Sequence, residues 1–282
     1  MPELPEVETI CRALRNGGRG APSILGWQMK KADLLWNKTL ATPSPAKFLQ
    51  KIIDQSIVDI FRRGKFIVIQ LTNGYLVVHL RMSGDLRVEE GQSEIQTHDR
   101  LMVSFYNGMR MVFNDPRKFG RVWLLRDLEV LFNKLGPEPL TLTSAEEFHQ
   151  MLSKHKRQLK PLLMDQHFLS GMGNIYTDEA LHKAGLHPLM ISSEVSDDQA
   201  KRLLQTIQEV LNLGIDRNGA SIDWFYRGGS FQNEFLVYGR SGQPCQICGT
   251  VIKKIVVGQR GTHFCPVCQP ASPSQIPNEM EG

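Results

Sequence analysis

The chain has 282 residues, 41% of them hydrophobic, and a formal net charge of +4. That length suits two domains better than one, and that apolar share excludes global disorder. No apolar run approaches the roughly 18 residues of a membrane-spanning helix, and the acidic N-terminus lacks the cationic start of a secretory signal, so a soluble intracellular protein that needs no membrane partner is expected.

Residues 5–16 read as a helix. Pro5 suits a first helical position, Glu6 and Glu8 suit the positive end of the helix dipole, and Val7, Ile10, Cys11 and Leu14 form an apolar stripe that makes Cys11 a core residue. Phe66–Leu71 and Tyr75–Leu80 flank Asn73-Gly74; Leu101–Tyr106 and Met109–Asn114 flank Asn107-Gly108. Asn-Gly between two apolar runs marks a tight hairpin, because both residues tolerate positive φ. Arg121–Leu125 adds a strand, and residues 24–125 predict a mainly antiparallel sandwich.

The chain then changes character. Gly136-Pro137-Glu138-Pro139 is a linker, and Ser144 with Glu147 makes a capping box. Helical patterns run through 158–166 and 174–184. Ser196 with Gln199 caps a longer helix whose stripe is Leu203, Leu204, Ile207, Val210 and Leu211. Residues 216–234 are rich in Gly, Ser and aromatics and read as a long functional loop. The fold class is therefore α+β multidomain. An N-terminal helix and antiparallel β-sandwich occupy 1–134, a helical domain with its loop occupies 135–234, a cysteine module occupies 235–270, and 271–282 predict a disordered tail.

Basic residues cluster in three places: Arg62, Arg63, Lys65, Arg81 and Arg87; Arg110, Arg117, Lys118, Arg121 and Arg126; Arg240, Lys253, Lys254 and Arg260. They read either as one phosphate-binding footprint or as separate solvated faces.

Cys245, Cys248, Cys265 and Cys268 follow a C-x2-C-x16-C-x2-C pattern, inside the window of about 15–20 intervening residues for structural zinc. Four thiolates close a tetrahedron and leave no position for substrate, so the expected cofactor is one structural Zn2+. Disulfides or redox thiols are the alternative, disfavoured by a reducing compartment. Between the pairs, Val251–Val257 and Thr262–Phe264 can form a hairpin turning at Gly258-Gln259-Arg260-Gly261, with Arg260 at the tip.

The chain begins Met-Pro-Glu-Leu-Pro-Glu-Val-Glu-Thr. Removal of Met1 makes Pro2 a secondary amine, a group able to attack a sugar carbon and form an iminium. Glu3 beside it can move protons. Most Met-Pro starts carry no such meaning. Here, however, the N-terminal run resembles that of the formamidopyrimidine-DNA glycosylase and endonuclease VIII family. So do Arg63-Gly64-Lys65, His79-Leu80-Arg81-Met82-Ser83-Gly84, Asn114-Asp115-Pro116-Arg117-Lys118-Phe119-Gly120, Gly171-Met172-Gly173-Asn174-Ile175-Tyr176 and the terminal finger, in the same order.

The resemblance implies a monomeric bifunctional DNA glycosylase and abasic-site lyase of base excision repair, acting in the cytoplasm on the nucleoid. Its partner is double-stranded DNA with oxidised bases or abasic sites. Pro2 is the implied nucleophile, Glu3 the proton donor, and Glu6 a supporting acid, unless Glu6 is only a charge at a helix start. Lys65 and His79 are implied phosphate contacts. Met82, Arg117 and Phe119 would fill the hole left by an extruded base, with Lys118 adding phosphate affinity. Asn174, in a helix–two-turn–helix motif, and Arg260 complete the phosphate grip, Asn174 also being a candidate N-cap.

The opening run and the long loop resemble the branch acting on 8-oxoguanine and formamidopyrimidines, with the loop covering the flipped base. The run Ala220-Ser221-Ile222-Asp223-Trp224 departs from that branch's usual pattern. Oxidised pyrimidines are the alternative substrate class. A non-catalytic zinc-finger DNA-binding protein is the reading from another class, and it would not need Pro2, Glu3 or the void-filling residues.

Overall fold

A computed structural model describes residues 1–221 and 228–271. Residues 222–227 of the expected base-covering loop, and 272–282 of the expected disordered tail, lie outside the described residues.

The chain groups into two compact units. The first holds Met1–Lys134 and Arg217–Ser230. It opens with helix α1 (Leu4–Asn16), which starts one residue earlier than expected and so places Pro5 second in the helix. Strands β1 (Met29–Leu34) and β2 (Leu40–Thr42), helix α2 (Pro45–Ile52), and strands β3 (Ile57–Arg63), β4 (Phe66–Leu71), β5 (Gly74–His79), β6 (Asp85–Glu90), β7 (Asp99–Phe105), β8 (Met109–Asn114) and β9 (Arg121–Leu125) follow. A short helix α3 (Glu129–Phe132) closes the series.

The strands make two sheets, ordered β1-β7-β8-β6 and β2-β9-β5-β4-β3. Every pairing is antiparallel except β2 with β9, which is parallel. Both hairpins form, β4 pairing β5 from Phe66↔His79 to Leu71↔Gly74 and β7 pairing β8, but only the glycines of the two Asn-Gly pairs take positive φ, and Gly74 already belongs to β5. One apolar core lies between the sheets. It combines Val7, Ile10 and Leu14 of α1 with Ile67, Ile69 and Val78 of one sheet and Val103, Met111 and Phe113 of the other. Cys11 sits in that core as expected, and burial pushes its thiol up out of the reactive range.

The second unit holds Leu135–Asp216 and Phe231–Gly282. Its helices are α4 (Ala145–Ser153), α5 (Leu159–Leu163), α6 (Asn174–Ala184) and α7 (Asp197–Asp216). Ser144 caps α4 by accepting the Glu147 N–H at 3.1 Å, and Ser196 and Gln199 exchange bonds of 2.9 and 3.3 Å at the start of α7. A hairpin of β10 (Lys253–Val257) and β11 (Arg260–Phe264) carries the cysteine module. Val257 pairs with Arg260, so the turn is only Gly258-Gln259 and Arg260 belongs to the strand beside it, which corrects the wider turn expected.

Residues 217–230 group with the first unit, whereas the sequence pattern attached the whole 216–234 loop to the helical domain. A side-chain contact explains the difference: Ala220 donates its N–H to Glu6 at 2.8 Å. Among the described residues, no helix is long and apolar enough to cross a membrane.

Candidate active site and nucleic-acid interface

Pro2 and Glu3 are buried at the head of α1. Glu3 is the N-cap of that helix, with an extended backbone (φ −104°). Glu6, one turn on and 2% exposed, accepts the Glu3 N–H through Oε2 at 2.7 Å and the Ala220 N–H through Oε1 at 2.8 Å. A buried carboxylate is tolerated when donors surround it. Here the donors fix the backbone next to Pro2 and the start of the 217–221 segment. Gly219 makes the approach possible, since a Cβ there would stand 2.7 Å from Glu6 Oε1. The candidate nucleophile, the candidate proton donor and this loop segment thus share one anchor.

Lys65 occupies the two-residue turn Gly64-Lys65 between β3 and β4 and is buried. His79 ends β5, directly opposite Phe66, whose ring meets the imidazole edge-on at 4.7 Å. Burial, reinforced by the charges of Arg81 and Lys65, lowers the His79 pKa to about 3. The Arg81 N–H donates to Nδ1 at 3.0 Å, which leaves the proton of the neutral ring on Nε2. His79 is therefore a neutral N–H donor, suited to a phosphate oxygen without adding charge.

Met82 lies half-buried in the turn after β5. Arg117, Lys118 and Phe119 lie in the segment between β8 and β9, and Phe119 is 50% exposed. The phenyl ring is thus presented to solvent. The Arg117 guanidinium stands 5.1 Å from the Phe119 ring, and Lys118 Nζ stands 4.3 Å from the ring of Trp36. Both are cation–π contacts that hold a cation without neutralising it.

Several of the clustered basic residues are committed elsewhere. Arg62 pairs with Glu8 at 3.0 Å, Arg87 with Asp99 at 2.8 Å and Glu89 at 2.6 Å, and Arg110 with Glu89. Arg240 donates to the carbonyls of Leu236 and Pro244 at 2.7 and 3.1 Å. The clusters are thus not one uniform footprint. Arg81, Arg117, Lys118, Lys253, Lys254 and Arg260 remain exposed.

In the second unit, Gly173, not Asn174, is the N-cap of α6, and Asn174 is the first helical residue. Its Nδ2 donates to the carbonyl of Gly261 at 3.2 Å, beside Arg260, while Oδ1 is buried with no hydrogen-bond partner. The two residues expected to grip phosphate are therefore neighbours, joined through the hairpin backbone.

The four cysteine sulfurs lie within 4.8 Å of one another, with Cys245–Cys268 at 3.8 Å and Cys248–Cys265 at 3.4 Å. Tetrahedral thiolates about 2.3 Å from zinc stand roughly 3.8 Å apart, so the set fits the ion. Crowding has an electrostatic signature as well. Burial and the neighbouring thiols push Cys268 up, while hydrogen bonding from Thr250 lowers Cys248 to about 6. A divalent cation would relieve the one and hold the other as thiolate.

Three family profiles match in order: formamidopyrimidine-DNA glycosylase N-terminal domain over residues 1–122, formamidopyrimidine-DNA glycosylase H2TH domain over 135–225, and the zinc finger found in FPG and IleRS over 242–271. A formamidopyrimidine-DNA glycosylase of Protochlamydia amoebophila is 40% identical over 279 residues, covering 95% of this chain and 99% of that protein. The chain belongs to the formamidopyrimidine-DNA glycosylase family. The enzyme of the same name from Herpetosiphon aurantiacus is likewise 40% identical, over 95% of this chain and all of its own. A crystal structure of a mutant Lactococcus lactis FPG with DNA containing Fapy-dG superposes with a TM-score of 0.88 at 34% identity, covering 96% of this chain and 100% of that one. A structure of MutM with DNA containing carbocyclic 8-oxo-G agrees equally well, at TM-score 0.88 and 34% identity.

Sequence reasoning about this glycosylase missed the supports behind the site. Lys160 is fully buried and pairs with Asp178 at 2.6 Å, and it donates to the Gly261 carbonyl at 3.0 Å. Asp178 accepts the His263 N–H at 2.9 Å. Glu179 accepts the N–H groups of Leu236, Val237 and Tyr238 at 2.8, 3.0 and 2.7 Å. A lysine next to a proline in a short helix looks like a surface residue. Only the polar groups of α6, at Asp178 and Glu179, hint that buried partners are needed.

Proposed function

We propose that Pro2 is the nucleophile through which this chain carries out its family's chemistry. The chain is a DNA glycosylase of base excision repair that acts on oxidised purines and cleaves abasic sites, the oxidised-pyrimidine alternative being disfavoured by its relatives. The buried Pro2–Glu3 head of α1, anchored by Glu6, carries the assignment of roles. Removal of Met1 frees the proline nitrogen. That nitrogen attacks C1′ of the flipped nucleotide, and the C1′–base bond breaks with its electron pair leaving on the base, which takes up the proton that the proline nitrogen gives up. Glu3 delivers a proton to the sugar oxygen as the ring opens, leaving an iminium between Pro2 and C1′.

The iminium acidifies the 2′ carbon. Loss of a 2′ proton expels the 3′ phosphate, and in this family a second elimination expels the 5′ phosphate before water releases the sugar remnant from Pro2. Lys65 and the neutral Nε2–H of His79 hold the flanking phosphates, as do Asn174 and Arg260 from the second unit. Met82, Arg117 and Phe119 occupy the emptied stack, which offsets part of the few kcal/mol that extrusion costs. When bound by Cys245, Cys248, Cys265 and Cys268, zinc stabilises the module that presents Arg260 and takes no part in the sugar chemistry. We place this activity at the nucleoid.

Excision from matched duplexes carrying 8-oxoguanine or thymine glycol tests the substrate class. Faster release of 8-oxoguanine is expected, and preferential release of thymine glycol would overturn the purine assignment.

A further inference from the structure

Two loops of the first unit carry the residues assigned to the duplex, and one buried carboxylate holds both. Met82 lies in the turn after β5, and Arg117 to Phe119 lie between β8 and β9. Asp115 is 0% exposed and Ser83 1% exposed. Oδ1 of Asp115 accepts the Ser83 hydroxyl at 2.5 Å and the Arg117 N–H at 3.2 Å, and Oδ2 accepts the Gly120 N–H at 2.7 Å. Ser83 Oγ shares the Arg117 N–H, also at 3.2 Å. The main chain of Asp115 is fixed in turn, its N–H on the His98 carbonyl at 2.9 Å and its carbonyl on Arg100 Nε at 2.8 Å.

Behind the carboxylate stands the ring of Phe113, touched from both loops. A Cβ on Gly84 would lie 2.9 Å from that ring, and one on Gly120 would overlap it. The loops are thus clamped at their base, while Phe119, Arg117 and part of Met82 project outward.

We propose that Ser83 and Asp115 are positioning residues that couple the Met82 loop to the Arg117–Phe119 loop, so that wedge, ring and guanidinium enter the duplex as one preorganised unit. The inference rests on the void-filling reading of those three side chains. Its physical basis is twofold. A buried carboxylate is costly unless hydrogen-bonded, and here its bonds end in the two loops alone. Ordering exposed side chains on binding costs conformational entropy, a cost that a prebuilt base reduces. Neither residue touches DNA in this scheme.

The test uses the zinc-loaded full chain. Single-turnover excision of 8-oxoguanine from duplex is compared with borohydride trapping on a single-stranded abasic oligonucleotide, which has neither a partner base nor a stack to fill. Ser83→Ala leaves the Asp115 bonds to Arg117 and Gly120 in place. It should slow duplex excision about tenfold, the scale of one hydrogen bond to a charged group, and slow single-strand trapping markedly less. Asp115→Asn, similar in volume but short of one acceptor, should show the same pattern more strongly. In a Ser83→Ala, Phe119→Ala double variant the two losses should combine to less than their sum. Equal losses on duplex and single strand, or additive losses in the double variant, would overturn the coupling and leave the void-filling reading standing. Phe119→Ala as fast as the parent would overturn the void-filling reading and the coupling with it.

Discussion

Glu6 and Ala220, far apart in the chain, are joined by a hydrogen bond of 2.8 Å between a buried carboxylate oxygen and a backbone N–H. The other oxygen holds Glu3 at 2.7 Å. Glu6 thus ties the start of α1 to a segment that the sequence pattern assigned elsewhere.

Glu6→Gln should therefore damage chemistry beyond its cost in stability. The amide offers one acceptor for two donors and turns an N–H against one of them, a penalty of about 1–3 kcal/mol. Single-turnover excision is expected to fall about tenfold or more, with a modest drop in the thermal midpoint. Excision at the parent rate would show that the anchor is dispensable.

The position of His79 gives a pH prediction. Its folded pKa lies near 3, well below the ordinary value of 6.5. Between these values the unfolded chain binds the extra proton and the folded chain does not, so stability contributed by neutral His79 is complete above about 6.5 and declines as pH falls toward 3. Nitrogen NMR should find the Nε2–H tautomer unchanged from pH 8 to about 5.5. A titration midpoint near 6.5 at this ring would refute the neutral-donor assignment.

The finger has little core of its own. Val237, Cys245, Ile252 and Cys265 form its buried cluster, with Cys268 against it. Chelation should release one zinc per chain and weaken DNA binding at least as much as Arg260→Ala does. Arg260→Ala should lower the slope of log affinity against log salt by about one, as for a single phosphate contact. An unchanged slope would remove Arg260 from the interface.

Lys160 and Asp178 form an ion pair with neither side chain exposed. Lys160→Met strands a buried carboxylate and should cost about 3–5 kcal/mol of stability. Adding Asp178→Asn removes that charge, and the double variant should be the more stable of the two. A single variant within about 1 kcal/mol of the parent would mean that the pair is not what holds α5, α6 and the hairpin together.

The sequence made much of this legible where local chemistry decides structure. Asn73-Gly74 and Asn107-Gly108 named their hairpins, Ser144 and Ser196 named their helix starts, and the cysteine spacing named the metal cluster. Helix α2 escaped notice although Ser44, Pro45, Phe48 and Ile52 carry its signal, because strand patterns surround it. The parallel pairing of β2 with β9 and the clamp at Asp115 were not legible at all. Both depend on residues brought together from distant parts of the chain. Arg87 and Arg110 misled partly for the same reason: Asp99 meets Arg87 and Glu89 meets Arg110 only across the sheet, although Glu89 also lies two residues after Arg87 on the same strand.

The most direct test of the account is borohydride reduction of the enzyme on abasic DNA, with the adduct located by mass spectrometry. A stable crosslink on the nitrogen of Pro2, in a chain lacking Met1 and lost on Pro2→Gly, is the predicted result. A crosslink mapped to a lysine, or active enzyme that retains Met1, would contradict it.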